Sequence, residues 1–126
     1  FGPVSVGYQE TYFDAGVKLN ANDMTTTSAK SVGLSGGLFT GEAMSIAFNV
    51  NDNLSVSWTE TEDTYDAQSD KATNIVDVTQ TTDALQVAYS MGAMSIKAYN
   101  METKNPGYDS NAATASVTEI ALGLAF

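Results

Sequence analysis

The sequence lacks cysteine, histidine and arginine altogether, and it contains only two prolines. Without cysteine, neither a disulfide framework nor a thiolate metal site can form. Without histidine there is no imidazole to bind a metal or to serve as a general base near neutral pH. Without arginine there is no bidentate clamp for phosphate and no side chain for the commonest contact with a DNA base. These absences make an enzyme the least favoured class of protein, and we expect no catalytic activity.

Basic residues are scarce, because 15 acidic residues face only five lysines and give a formal net charge of −10. Binding to nucleic acid depends on basic contacts with its phosphates, so we expect no nucleic-acid partner. Long apolar runs are missing as well. The longest uncharged apolar stretches lie near 43–50 and 120–126, far short of the roughly 20 residues that a membrane-spanning helix needs.

What the sequence does contain is repeated alternation between large apolar and small polar residues, which indicates β-strands. The alternation predicts six strands, at Val4–Tyr12, at Ser31–Val50, from Leu54, at Thr79–Met91, from Met94 and at Ser116–Phe126. The second of these is rich in glycine. A break at Gly41–Glu42 would split it into two strands, and the sequence leaves both interpretations open.

The connections between these strands alternate in length. Residues 14–30, 64–77 and 104–115 are long and polar, whereas Asn51–Asn53 and Gly92–Ala93 are tight turns. Bacterial outer-membrane barrels have long loops on the outside and short turns on the periplasmic side. If the last strand ends in the periplasm, all three long connections fall on the outside and both short turns fall in the periplasm.

The chemistry of the two strand faces favours a membrane over water. A strand of a soluble sandwich would carry lysine and glutamate on its polar face, whereas the polar residues here are small and neutral and suit the lining of a water-filled space. Only helices and closed barrels satisfy their backbone groups in hydrocarbon. The predicted fold class is therefore all-β, an antiparallel transmembrane β-barrel.

The size of the predicted sheet bears on the domain organisation. The smallest barrels of this class have about eight strands, so six strands cannot close one. We expect residues 1–126 to be the C-terminal portion of a single barrel domain that belongs to a longer chain.

Four carboxylates interrupt the apolar alternation: Glu10, Glu42, Glu60 and Asp83. A charge at the middle of a bilayer costs about 2–4 kcal/mol for lysine or arginine, less for an acid, and little at the interface. We expect these residues near the outer ends of their strands, unless a β-bulge resets the alternation.

The last strand resembles the C-terminal assembly signal of Gram-negative outer-membrane proteins, which ends in phenylalanine after alternating apolar residues. The residues that carry the resemblance are Ile120, Leu122, Leu124 and Phe126. The hairpin Asp83–Asn100 and the stretch Asn105–Asp109 are similar to the end of general diffusion porins of α-proteobacteria. The resemblance covers residues 42–126 best.

Several properties are implied by that resemblance. It implies a 16-stranded barrel in the bacterial outer membrane, usually a homotrimer, in contact with the lipid bilayer and lipopolysaccharide. It also implies an inward loop that narrows the pore and lies upstream of this chain. The arginine cluster at the family's constriction has no counterpart here, so the resemblance assigns no constriction residues.

The expected function is that of an outer-membrane porin, a passive diffusion channel for small hydrophilic solutes and ions. The acidic excess predicts a preference for cations. The alternation assigns these candidate pore-lining residues: Ser55, Ser57, Thr59, Gln86, Ser90, Ser95, Lys97 and Glu119. Lys97 and Glu119 either set the local potential of the pore or form a salt bridge on its wall.

Two other functions remain open from the sequence. One is a non-channel outer-membrane barrel, an adhesin or surface structural protein that acts through its long loops. The other is a soluble or fibre-forming β-protein. Conductance separates the first of these from a porin, and dependence on detergent separates the second from both.

A cluster of acidic residues near the end of the third predicted strand raises the question of a metal site. Glu62, Asp63, Asp66 and Asp70 offer the oxygen ligands that Ca²⁺ or Mg²⁺ prefers. They lack the fixed spacing and glycine of an EF-hand loop. Weak binding of Ca²⁺ or Mg²⁺ and a solvated acidic loop without an ion are the competing interpretations, and no other cofactor is expected.

Overall fold

The structure is a computed structural model that describes residues 2–14, 37–67 and 77–125. These residues form one six-stranded antiparallel sheet in which strand order follows chain order. The strands are β1 Val4–Asp14, β2 Gly37–Asn51, β3 Leu54–Ala67, β4 Val78–Met91, β5 Met94–Lys104 and β6 Ala115–Leu124. No helix in these ranges is long and apolar enough to cross a membrane. The prediction of an all-β, antiparallel fold with six strands is confirmed.

Two tight turns fix the register of the central hairpins. Between β2 and β3 the Asn51 side-chain oxygen accepts hydrogen bonds from the amides of Asn53 at 2.9 Å and Leu54 at 3.0 Å. Between β4 and β5 Gly92 has φ near +59°, a conformation that costs glycine nothing. The connections that join β4 to β5 and β2 to β3 are therefore the short ones that the sequence predicts.

The glycine-rich second strand is continuous where the sequence left a break open. β2 pairs with β1 and with β3 on both sides of Gly41 and Glu42 without a shift of register. The one irregularity between β2 and β3 lies at Asn49 and Asn51, beside the turn. A single strand across Gly41–Glu42 is therefore confirmed, and residues 31–36 of the prediction lie outside the described residues.

The predicted long connection at 64–77 begins too early. β3 continues to Ala67, and Thr64 lies opposite Thr79 of β4 with their hydroxyls 2.8 Å apart. The polar composition of this stretch suggested a loop, but cross-strand hydroxyl pairs stabilise a strand equally well. The predicted end of β1 at Tyr12 is also too early, because the strand extends to Asp14.

The register sorts the side chains onto two faces, because successive residues of a strand point to opposite sides of the sheet. The apolar face carries Val4, Val6, Tyr8, Met44, Ile46, Phe48, Leu54, Val56, Trp58, Leu85, Val87, Tyr89, Met91, Met94, Ile96, Ile120, Leu122 and Leu124. The polar face carries Ser5, Gln9, Thr11, Ser45, Ser55, Ser57, Thr59, Thr61, Gln80, Thr82, Gln86, Ser90, Ser95 and Thr103.

The large side chains of the apolar face are not buried by other described residues. Along β2, Met44, Ile46 and Phe48 are exposed, while the small residues Ser45 and Ala47 between them are half-buried. Of the large hydrophobic side chains in the described part of the chain, only that of Tyr65 is buried, at 3% exposure. The apolar side chains of this sheet therefore do not form a core within the described residues.

Candidate functional site: the polar face of the sheet

The structure places all the residues that the sequence proposes as pore-lining on the polar face. They come from four neighbouring strands and are Ser55, Ser57, Thr59, Gln86, Ser90, Ser95, Lys97 and Glu119. Several are direct cross-strand neighbours, such as Ser57 with Gln86 and Ser90 with Ser95. The alternation in the sequence was sufficient to group them because no bulge interrupts these strands between the turns.

The polar face is concave. A recess of about 410 Å³ crosses four strands and is lined by Ser57 of β3, Gln86 of β4, Lys97 and Tyr99 of β5, and Glu119 of β6. A second recess of about 530 Å³ lies towards the short turns, beside Asn49 and Ser95. Recesses that extend over several strands, together with the half-buried small residues of β2, indicate that the sheet curves around the polar face.

Lys97 and Glu119 both lie on this concave side, but they do not form an ion pair among the described residues. The Tyr99 hydroxyl donates a hydrogen bond to Glu119 Oε2 at 3.1 Å, and Lys97 lies opposite Ala88 and Ala121. The two residues are diagonal neighbours on β5 and β6 and line the same recess. The salt-bridge interpretation is therefore not supported within the described residues, and an influence of the two charges on the pore potential stays a prediction.

The charges of the strands are divided unevenly between the two faces. Alternation places Asp63, Lys97 and Glu119 on the polar face. The other charged residues of the strands lie on the opposite face: Glu10, Asp14, Glu42, Glu60, Glu62, Asp66, Asp83, Glu102 and Lys104. Most of the acidic excess of the strands is therefore not on the polar face.

The carboxylates that interrupt the apolar alternation form a band on the apolar face. Glu42 lies between Glu10 and Glu62, and Asp83 lies between Glu60 and Glu102. Tyr12 and Leu38 of the same face lie still further towards the long connections. The carboxylates are well inside their strands: Glu42 is the sixth of the 15 residues of β2, and Glu60 is the seventh of the 14 residues of β3. The prediction that they lie near the outer ends is therefore wrong, because the strands continue past them, and no bulge resets the alternation at these positions.

The acidic residues proposed as metal ligands are split between the faces. Glu62 and Asp63 are neighbours in β3 and therefore point to opposite sides of the sheet, and Asp66 lies on the side of Glu62. Asp70 lies outside the described residues. The ranges 2–14, 37–67 and 77–125 contain no group of three or more acidic residues placed to hold a metal ion.

An aromatic cluster at the long-connection end of the polar face was missed from the sequence. The Phe39 ring lies 6.1 Å from that of Phe13, 5.2 Å from that of Tyr65 and 5.3 Å from that of Tyr108. Phe13, Phe39 and Tyr65 come from the adjacent strands β1, β2 and β3, while Tyr108 comes from the connection between β5 and β6. In the sequence, these three strand residues stand out as aromatic side chains at alternating positions that otherwise carry small or polar residues.

The connection from β5 to β6 folds back over the polar face. It contains a short 3₁₀ turn, η1 Pro106–Tyr108. The Asn105 side-chain amide donates a hydrogen bond to the Thr79 carbonyl at 2.8 Å, and the Gly107 backbone amide donates one to the Gln80 side-chain oxygen at 2.8 Å. These two bonds attach the turn to β4, so Tyr108 reaches the aromatic cluster.

Tyr108 is held in a partly enclosed position. Its φ of 58° is unusual for a residue with a side chain, and such a conformation persists when the surrounding contacts determine it. Burial raises the pKa of its hydroxyl, and the nearby Asp63 carboxylate raises it further. Asp63 and Tyr108 also line the same recess.

The residues of the proposed assembly signal lie on the apolar face of β6. Ile120, Leu122 and Leu124 pair with Ala98, Ile96 and Met94 of β5 respectively, and Ile120 is 73% exposed. Phe126 lies outside the described residues. The three described residues of the alternating pattern therefore share one face of β6.

No protein-family model matches the chain, and no curated protein or solved structure matches it. The features of the chain that bear on its function are the polar face with its recesses, the apolar face and the turn that folds over the aromatic cluster.

Proposed function

We propose that this chain is part of an outer-membrane porin, a β-barrel that lets small hydrophilic solutes and ions diffuse through its interior. The polar face lines the water-filled pore, and the apolar face contacts lipid. As the resemblance implies, further strands of a longer chain would complete the barrel and three copies would assemble. The outer surface would then meet the bilayer and lipopolysaccharide.

One observation carries the proposal: the large apolar side chains share one face of the sheet without being buried by other described residues, and the small polar ones share the opposite face, which holds the recesses. In water this arrangement is unfavourable, because full burial of one large aliphatic side chain stabilises a fold by about 1.5–3 kcal/mol relative to leaving it exposed. In a bilayer it is the stable arrangement, because lipid tails cover the apolar face and water covers the polar one.

We base the proposed cation preference on the charges of the polar face and not on the net charge of the chain. The strands contribute two carboxylates, Asp63 and Glu119, and one ammonium group, Lys97, to the polar face. Carboxylates on the wall of a water-filled pore raise the local concentration of cations. The acidic band on the apolar face faces away from the pore and contributes little at physiological ionic strength.

The proposal is tested by single-channel recording of the full-length protein in planar bilayers, with the cation-to-anion permeability ratio taken from reversal potentials. We expect stepwise openings that favour cations. Glu119→Gln should lower the ratio about twofold, because one screened charge in water is worth less than about 1 kcal/mol. Glu102→Gln removes a carboxylate from the opposite face of the neighbouring strand and should leave the ratio unchanged.

Two outcomes would contradict the proposal. Absence of conductance from folded, bilayer-inserted protein would favour the non-channel alternative, an adhesin or structural barrel. A protein that stays monodisperse in buffer without detergent would exclude a membrane barrel of either kind.

A further inference from the structure

A recess at the long-connection end of the polar face combines aromatic rings with a carboxylate. It has a volume of about 360 Å³ and is lined by Thr11, Phe13, Phe39, Gly41, Asp63 and Tyr108. We call it the aromatic–carboxylate recess. Small-molecule sites usually occupy about 300–1,000 Å³, so its size suits a ligand with few non-hydrogen atoms.

Gly41 provides the floor of this recess. A Cβ atom at Gly41 would collide with the Thr11 hydroxyl and with Asp63 Oδ1, which approach it from the two neighbouring strands. Thr11 Oγ1 also donates a hydrogen bond to the Gly41 carbonyl at 3.4 Å. The missing side chain thus lets a hydroxyl and a carboxylate converge over the backbone of β2.

The walls of the recess are aromatic rings. Phe39 contacts both Phe13 and Tyr108, whose ring meets it edge to face at an interplanar angle of 68°. Phe13 is 63% exposed, although it lies on the concave face. Exposed ring faces attract cations through their quadrupole, by about 0.5–2 kcal/mol per contact.

The carboxylate of the recess is not neutralised by a lysine of the described residues. Lys104 lies on the apolar face, opposite Thr81. Lys97 pairs with Ala88, which in turn pairs with Ser55 of β3. Ser55 is eight residues from Asp63 along β3, so Lys97 and Asp63 are separated by roughly 26 Å in the strand direction. Among the described residues, Asp63 thus has no lysine beside it on the polar face.

We propose that the aromatic–carboxylate recess binds small organic ammonium ions. Their charged nitrogen meets the Asp63 carboxylate, and their methyl or methylene groups lie on the rings that line the recess, above all on the exposed ring of Phe13. A neutral solute gains nothing from the carboxylate. A bare Ca²⁺ ion needs six to eight oxygen ligands, which one carboxylate and one hydroxyl do not supply. The inference deepens the proposed porin function, on which any role in permeation rests, while binding itself does not require conduction.

The experiment measures binding of choline chloride to the purified full-length protein in detergent, by calorimetric titration at constant ionic strength. The uncharged analogue 3,3-dimethylbutan-1-ol has the same shape and serves as the reference ligand. We expect choline to bind at least about tenfold more tightly, because only the charged form gains from the carboxylate and the rings. Equal affinities for the two ligands would overturn the proposal.

Two matched pairs of variants locate the site. Asp63→Asn should weaken choline binding about tenfold, whereas Glu62→Gln, its neighbour on the opposite face, should not change it. Gly41→Ala fills the floor and should weaken binding, whereas Gly7→Ala should not. An added Cβ at Gly7 also meets a hydroxyl, that of Ser45, but Gly7 lies outside the recess. Equal effects within either pair would contradict the assignment, and Gly41→Ala keeps the test valid if Asp63→Asn fails to fold.

Recording in planar bilayers separates this inference from the porin proposal. If the channel conducts and choline binds, choline should reduce the single-channel current in the native protein and less so in Asp63→Asn. Conductance without choline binding would refute the recess and leave the porin proposal standing. Choline binding without conductance would refute the porin and leave the recess standing.

Discussion

The apolar face and the polar face belong to the same six strands, yet their side chains meet their surroundings in opposite ways. On the apolar face large residues such as Val6, 73% exposed, project outwards, and on the polar face small hydroxyl and amide side chains lie in a concavity. A soluble sheet does the reverse, with its large residues facing a second layer. The comparison teaches that the two faces suit different surroundings, and it is the reason for proposing lipid on one side and water on the other.

The largest expected effect comes from placing the same charge on each face at neighbouring positions. Val87 lies on the apolar face between Val56 and Ala98, and Gln86 lies on the polar face between Ser57 and Tyr99. Val87→Lys should cost about 2–4 kcal/mol of unfolding free energy in a bilayer, because the ammonium enters hydrocarbon. Gln86→Lys should change it by no more than about 0.5 kcal/mol.

Reversible urea unfolding of the full-length protein in lipid vesicles measures both variants. Native protein in the same vesicles is the control. Equal losses for Val87→Lys and Gln86→Lys would mean that the faces do not differ in their surroundings, and a larger loss for Gln86→Lys would mean that they are assigned the wrong way round.

A smaller effect sharpens the comparison on the polar face, where the β5–β6 connection folds over it. Asn105 has φ of 50° and donates its side-chain amide to the Thr79 carbonyl. Asn105→Ala loses that bond and strains the backbone, so it should lower the free energy of local opening by about 1–3 kcal/mol. Asn105→Gly loses only the bond and should cost about 1 kcal/mol.

Hydrogen exchange at two backbone amides reports this opening. The Gly107 amide donates to the Gln80 side chain, and the Tyr108 amide donates to the Asn105 carbonyl at 3.0 Å. Both should exchange faster in Asn105→Ala than in Asn105→Gly, and faster in either than in the native protein. Unchanged exchange in both variants would show that the turn does not depend on this bond.

The sequence was sufficient for the sheet and for its two faces because both follow from local alternation. Ile46 and Phe48, or Ser55 and Ser57, fall on their faces whatever lies elsewhere in the chain. The start of the long connection after β3 was misplaced because Thr64 and Tyr65 resemble loop residues until their partners Thr79 and Val78 on β4 are known. Composition alone does not reveal a cross-strand pair.

The aromatic–carboxylate recess was beyond sequence reasoning for a different reason. Tyr108 is more than forty residues from Asp63 and Phe39 along the chain, and the turn that brings it back depends on bonds to Thr79 and Gln80. Asp63 was grouped with Glu62 by proximity in the sequence. In a strand, neighbours point apart, so the same proximity separates their side chains.

The central claim, lipid on one face and water on the other, is tested most directly by single-cysteine labelling along β3. This stretch contains no cysteine of its own, so each substitution at Ser55, Val56, Ser57 or Trp58 introduces one thiol into it. In intact vesicles a water-soluble maleimide should label Cys at 55 and 57 and spare 56 and 58. Uniform labelling of all four positions, or labelling of 56 and 58 alone, would contradict the account.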